Sequence, residues 1–253
     1  MEDGTPLPGG YAYLIFTVGN GEQRHDRRPT IAQAKLAICS LRLQNVSSPI
    51  IAVTAHVDEY VEARLFKAGA DAVCNFTHWD WPLHNWHPVY DENTQHRKDG
   101  ALTYYRFLAF NFTDFSRVIL ADADVWWFEN PETMFNVPMF PFVSFEEGRV
   151  RSPYHGFNMH VSLIQPDAVR FNRLLSRAAT GDYIPFINTE QDVFDAEFAT
   201  EHVIFGEKGT HCARKQHSSR PPEESKACIA YRYADDANDE LHLTPDLLWM
   251  LPS

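Results

Sequence analysis

The run Val118-Ile119-Leu120-Ala121, followed at once by Asp122-Ala123-Asp124, constrains this chain more than any other stretch. Four apolar residues without polar alternation suit a strand covered on both faces, and such strands belong to parallel sheets flanked by helices. The aspartates end the run at the carboxyl edge, where open α/β sheets meet their ligands. If the chain stays extended through Ala123, the two-residue period of a strand turns both carboxylates to one side. At about 5 Å and an effective dielectric near 20, two such charges repel by about 3 kcal/mol, and a divalent cation between them reverses the sign. Oxygen ligands of this hardness favour Mg²⁺ or Mn²⁺ over zinc. Asp-x-Asp alone is also ordinary strand-end chemistry. Its weight here comes from context, because Trp126-Trp127-Phe128 follow and Asn130-Pro131 turns into a short helix beginning near Glu132.

Upstream of this strand the chain alternates between β and α patterns. Tyr11 to Val18 reads as a first strand, ended by the turn residues Gly19-Asn20-Gly21. Thr30 to Leu43 carries Ile31, Ala34, Ile38 and Leu41 at helical spacing. Pro49 to Thr54 is a second strand, Asp58 to Ala68 a second helix and Ala70 to Phe76 a third strand. Asp99 to Phe112 is a helix leading into the strand that starts at Arg117. Downstream, Met139 to Phe145 and Gly156 to Gln165 read as strands, and Asp167 to Ala179 as a helix stopped by Gly181. Thr189 to Phe198 is a further helix capped by Thr189. This order implies a mostly parallel, Rossmann-like central sheet with helices on both faces, built as one domain over residues 1–253. The segment 206–226 is polar and aperiodic, and is expected to be a mobile loop.

A net charge of −12 without basic clusters argues against nucleic acid or an anionic membrane surface as the main partner. No segment is apolar and long enough to span a bilayer, and the acidic start MEDGTPLPGG lacks the features of a secretory signal. A soluble, cytoplasmic protein is therefore expected. Cys39, Cys74, Cys212 and Cys228 form no CxxC pair, which removes zinc-ribbon and redox readings and favours free thiols. Without export, the sequons at Asn45, Asn75 and Asn111 are coincidences. Between His78 and Lys98 the chain is rich in Trp and His without a sustained period. His84, His87 and His96 have no recognised zinc spacing, so the tryptophans there more simply pin the loop to the core or stack on sugar rings.

The order of motifs resembles the family-8 glycosyltransferases, such as the glycogenins and galactinol synthases. The match is densest from Leu102 to Phe135, where a helix, a strand, the DADV run and NPETMF follow the family's pattern. The resemblance implies a GT-A fold, with 11–135 as the nucleotide-binding half and 136–253 as the sugar and acceptor half. It implies a Mn²⁺- or Mg²⁺-assisted transfer of a hexose or pentose from a UDP-sugar to a carbohydrate, polyol or protein acceptor, with retention of anomeric configuration. Asp122, Asp124 and His242 would hold the metal, with His211 the other candidate for the histidine. Thr17, Val18, Asn20, Arg106, Asp122, Ala123, Asn158 and Gln191 would bind the donor. Glu190, Gln191 and Asp192 stand where the family carries its DQD motif and would serve catalysis. Departures occur at Met159 and His160, which replace small residues, at Glu190, which replaces an aspartate, and around His242, which lacks the family's glycine and lysine.

Each of these residues also has a structural role open to it: Arg106 as a surface charge, Asn158 as a strand-end hydrogen-bonder, and Gln191 and Asp192 as groups favouring a helix N-terminus. Two other functions stay open from sequence. One is a UDP-sugar-binding module of the same fold with weakened turnover, and the other is a metal-dependent phosphohydrolase. The latter ranks low, because no further carboxylates gather near the DAD triplet to build a two-metal site.

Overall fold

The computed structural model describes residues 9–17, 28–55, 57–76, 100–137, 141–146, 153–204 and 213–215. All of them fall within one compact unit, Met1–Gln216. The strands β1 (Tyr11–Phe16), β2 (Ile50–Thr54) and β3 (Ala72–Asn75) alternate with the helices α1 (Arg28–Leu43) and α2 (Glu59–Lys67). A 3₁₀ helix, Gly100–Asn111, leads into β4 (Arg117–Asp122) and a short β5 (Val125–Trp127). A second 3₁₀ turn, Pro131–Asn136, precedes β6 (Phe142–Glu146) and β7 (Phe157–Ile164). Helices α3 (Ala168–Thr180) and α4 (Glu190–Glu197) and the short strands β8 (His202–Ile204) and β9 (Ala213–Lys215) complete the described chain.

Seven strands form one sheet in the order β3-β2-β1-β4-β7-β6-β8. Strands β1 to β4 are mutually parallel, and β7 runs antiparallel to both β4 and β6. From β1 the chain winds outward to β2 and β3, then returns to place β4 on the other side of β1. The order of strands thus reverses between β1 and β4, and a crevice opens beyond their carboxyl ends. The register pairs Phe16 with Asp122, so the last residues of β1 and β4 stand side by side at that point.

Both faces of the sheet are covered, as the unbroken apolar runs require. Leu14, Phe16 and Leu120 join the 3₁₀ helix, α3 and α4 in one core, where Phe107, Phe110, Phe142, Phe194 and Phe198 pack ring on ring. Tyr13, Ile15, Ile119 and Ala121 point to the other face, against Ala34, Ile38 and Leu41 of α1 and Leu65 of α2. Trp127 closes this second core. Its ring meets Tyr13 edge-on at 6.2 Å, and its backbone N–H donates to Ser40 Oγ at 3.1 Å.

Polar groups fix the helix ends. Asp58, Asp167 and Thr189 cap α2, α3 and α4 through side-chain oxygens that accept backbone N–H groups. Gly181 ends α3 at φ 73°, a left-handed conformation that glycine adopts without penalty. Arg170, Arg173 and Arg177 of α3 all reach the buried Glu197 of α4, at 3.0, 3.0 and 2.8 Å, and lock the two helices together. Glu132 accepts from Ser47 N, Ser47 Oγ and Ser48 N at 2.6, 2.8 and 2.8 Å, tying the turn after β5 to the end of α1. Cys39 and Cys74 are free thiols, as expected. The side-chain amide of the sequon residue Asn75 is engaged by Val57 O and Glu62.

Three sequence expectations change. The segment before β4 is 3₁₀ and not α-helical over Gly100–Asn111. Ala213–Lys215, inside the stretch expected to be mobile, is a strand paired antiparallel with Val125–Trp127. The chain does not stay extended through Ala123: it turns at Ala123–Asp124 directly after β4, because Val125 must reverse away from the sheet to meet β9. Strand alternation therefore does not set the relative orientation of Asp122 and Asp124.

Candidate active site

At the switch point, the Ala123 N–H donates to Phe16 O at 3.1 Å, so the turn carrying Asp124 is held against the end of β1. Thr17 follows β1, is buried, and donates its N–H to Val53 O at 2.9 Å. Thr17, Asp122 and Ala123, expected to meet a donor, are thus brought to one edge.

Arg106, on the 3₁₀ helix, joins this edge to α4. Its Nε and Nη2 donate to Asp122 Oδ1 at 3.1 and 2.6 Å, and its Nη1 donates to Glu190 Oε1 at 2.5 Å. Burial alone would lower the Arg106 pKa, but the two carboxylates more than reverse this and hold the guanidinium charged. Glu190 behaves oppositely: burial raises its carboxyl above the usual range, Arg106 offsets part of that, and the Asp122 charge adds to it. Its side chain has no exposed surface. A solvated surface arginine and a mere helix-cap glutamate are both excluded by this arrangement.

The cluster is not closed on itself. Glu190 Oε2 and, one residue on, Gln191 Oε1 are buried acceptors with no hydrogen-bond partner. A buried acceptor left unmatched costs about 1–3 kcal/mol, so these two oxygens mark where an incoming donor group would be favoured. Asn158, at the start of β7, has its Oδ1 taken by His160, whose N–H and ring Nδ1 lie at 3.0 and 2.5 Å. What Asn158 can offer a ligand is therefore its amide N–H pair.

Asp192 is directed elsewhere. Its oxygens accept three backbone N–H groups, from Phe186 and Asn188 at 2.9 and 2.8 Å and from Ile187 at 3.0 Å. With 1% of its surface exposed, it shapes the loop before α4, and this geometry leaves its carboxylate no place in bond-making. Of the three candidates on α4, Glu190 and Gln191 remain at the cluster.

The donor set at the end of β4 suits a hard divalent ion in part. Three carboxylates, Asp122, Asp124 and Glu190, share one guanidinium, which leaves an excess of negative charge. Both Arg106 contacts to Asp122 fall on Oδ1, and a carboxylate has about four lone-pair positions for cations and donors. Among the described residues, however, no group of three or more His, Cys, Asp or Glu is disposed to hold a metal ion. Val18, Asn20, His211 and His242 lie outside the described residues, as do His84, His87 and His96.

A family model described as "Mannosyltransferase putative" matches residues 22–141, from before α1 to the start of β6. No curated protein matches the sequence. Solved structures do match in fold. The glycosyltransferase GlyE of Streptococcus pneumoniae TIGR4 superposes with a TM-score of 0.53 at 14% identity, over 77% of this chain and 46% of GlyE. An active-site mutant of LgtC gives 0.53 at 13% identity, over 76% of this chain and 72% of LgtC. The bifunctional glycosyltransferase WbbM gives 0.54 at 12% identity, over 78% of this chain and 38% of WbbM.

The fold is the GT-A fold. The chain spans less than half the length of GlyE. In this GT-A framework the DAD triplet ends β4 at the switch point, and the helices before and after it deliver Arg106 and Glu190. No helix among the described residues is long and apolar enough to cross a membrane.

Sequence reasoning missed one polar pair. His155, just before β7, donates its backbone N–H to Asp195 Oδ1 at 2.7 Å and sets its ring Nδ1 3.2 Å from Asp195 Oδ2. Forty positions separate the two residues, and no spacing rule connects them. The only local signal was Gly156, at φ 77°, which turns the chain into β7.

Proposed function

We propose that this chain is a glycosyltransferase that moves a hexosyl group from a nucleotide diphosphate sugar to an acceptor hydroxyl. The observation that carries the reading is the buried Arg106–Asp122–Glu190 cluster at the switch point of a GT-A sheet, with two unmatched acceptor oxygens beside it. Unmatched acceptors call for a ligand rich in hydroxyl donors, and a sugar is such a ligand.

In this reading Glu190 Oε2 and Gln191 Oε1 accept from donor-sugar hydroxyls, and the Asn158 amide donates to the same ring. LgtC, which shares the fold, has an active-site glutamine-to-glutamate mutant, and Gln191 is the candidate glutamine here. Thr17, with Val18 and Asn20, meets the nucleoside. Arg106 fixes Asp122 and Glu190 in place and contributes positive charge near the leaving diphosphate, where charge develops in the transition state. Asp122 and Asp124 would hold Mn²⁺ or Mg²⁺, with His242 as third ligand; that ion neutralises the diphosphate when bound. Retention of configuration is part of the proposal on resemblance alone.

Two donor classes fit. The sequence resemblance favours a UDP-sugar, whereas the mannosyltransferase description favours a mannosyl donor. Incubating the protein with UDP-glucose, UDP-galactose, UDP-xylose, UDP-N-acetylglucosamine and GDP-mannose, with and without Mn²⁺, separates them. Release of nucleoside diphosphate from one donor supports a transferase. Stabilisation by a donor without turnover, seen as a higher melting temperature, supports the weakened binding module instead. Cleavage to sugar phosphate would support the phosphohydrolase. Neither binding nor turnover with any donor would refute the nucleotide-sugar reading.

A further inference from the structure

The GT-A reading leaves one buried carboxylate and one imidazole without a task. Asp195 is nearly buried on α4, and His155 keeps about two fifths of its side chain exposed. The two meet twice: through the His155 backbone N–H at 2.7 Å and through ring Nδ1 at 3.2 Å. A carboxylate facing Nδ1 accepts a proton from it, which fixes the tautomer with the lone pair on Nε2. The ring plane is steadied by stacking on Phe157, with centroids 6.2 Å apart and planes inclined by 20°. The imidazole is thus oriented, supported from behind by a negative charge, and partly exposed in front.

Its place in the fold ties it to the candidate site. Strand β7 runs antiparallel to β4, with Ala121 opposite Val161, so the start of β7 lies at the same sheet edge as Asp122. His155 stands two residues before that start and three before Asn158. Asp195 follows Gln191 by four positions, and residues so spaced share one face of a helix. The neighbouring segments are locked in place as well. Tyr154 stacks on Phe186 at 4.5 Å, and Asp192 holds the Phe186–Asn188 backbone. A dyad used only to close the turn at Gly156 would need the backbone contact alone, not an aligned ring.

Resting on the transferase reading above, we infer that His155 is the general base that activates the acceptor hydroxyl, with Asp195 as its positioning residue. The acceptor O–H proton passes to His155 Nε2 as the acceptor oxygen bonds to the anomeric carbon. The bond from that carbon to the diphosphate oxygen breaks, and its electron pair leaves with the nucleoside diphosphate. The imidazolium, stabilised by Asp195, then returns its proton to water. No oxidant or further reactant is needed.

The test uses whichever donor the panel shows to be turned over, with water as the acceptor and nucleoside diphosphate release as the readout. His155→Asn keeps a side-chain N–H where Nδ1 stood, so the contact to Asp195 and the fold survive. It is expected to lower kcat by about 10²- to 10⁴-fold with the donor KM within about twofold of wild type. His155→Ala should fall as far, and added imidazole should restore part of its rate. Asp195→Asn, which presents an N–H to Nδ1 and reverses the tautomer, should also lower kcat without moving donor KM. Retention of near-wild-type kcat by both His155 variants would overturn this inference alone. So would loss of rate that imidazole fails to restore and that comes with a lower melting temperature, since that is the signature of a structural clamp. A wild-type chain inert toward every donor would overturn the transferase reading and this one together.

Discussion

Replacing Arg106 by Met tests the physical logic of the site most severely. The change keeps an unbranched apolar stem but deletes a guanidinium bridging Asp122 and Glu190. Glu190 has no exposed side-chain surface and Asp122 has 14%, so neither carboxylate can turn to water for compensation. Removing one partner of a buried pair costs about 3–5 kcal/mol, chiefly because the remaining charge is stranded. The upper part of that range applies, because one cation serves two anions here. For a chain of this size each kcal/mol shifts the melting temperature by about 2–4 °C, so a fall of about 6–20 °C is expected. Urea denaturation read by circular dichroism gives the same quantity at constant temperature. The diagnostic arm is the second substitution. Adding Glu190→Gln to the Met variant removes the stranded charge and should recover about 1–3 kcal/mol, although it deletes yet another polar group. Arg106→Met within about 1 kcal/mol of wild type, or a double variant less stable than the single, would refute the reasoning.

Other consequences are expected away from the site. Glu197→Ala strands three arginines against the end of α4 and should cost about 3–5 kcal/mol in denaturant unfolding; a cost under about 1 kcal/mol would show that the clamp is idle. Burial by itself would raise the Glu132 carboxyl, but hydrogen bonds from Ser47 and Ser48 outweigh this and leave its pKa lowered. Its contribution is therefore present above the ordinary glutamate pKa and lost as pH falls through the lowered value. Glu132→Gln should be less stable than wild type at neutral pH, and the gap should close in acid; a gap that widens in acid would contradict the sign.

Much of the fold was legible because its signals are local. β4 reads as a strand because burial on both faces removes alternation, and Asp58, Asp167, Gly181 and Thr189 mark helix ends by side-chain chemistry acting within a few residues. The 3₁₀ form of Gly100–Asn111 was not legible, since its apolar spacing also satisfies an α-helix. β5 and β9 escaped because each is three residues long and finds its partner nearly ninety positions away. That pairing pulls Ala123–Asp124 out of the strand, which is why extrapolating alternation through Ala123 failed.

The site divides along the same line. Asp122 was visible as the end of an apolar run, and Arg106 and Glu190 entered through family likeness, but their meeting across 84 positions was not. Asp192 was assigned to chemistry from its motif alone, whereas three loop amides claim its oxygens. His155 and Asp195 carried no sequence signal at all, because neither spacing nor composition records which strand end a helix face will meet.

A crystal structure with a non-transferable analogue of the donor identified by turnover tests the central claim most directly. The account predicts that hydroxyls of the bound sugar donate to Glu190 Oε2 and Gln191 Oε1, the two oxygens now without partners, with the diphosphate beyond the end of β4. A sugar bound with both oxygens still unmatched, or a donor seated away from the β1–β4 switch point, would contradict it.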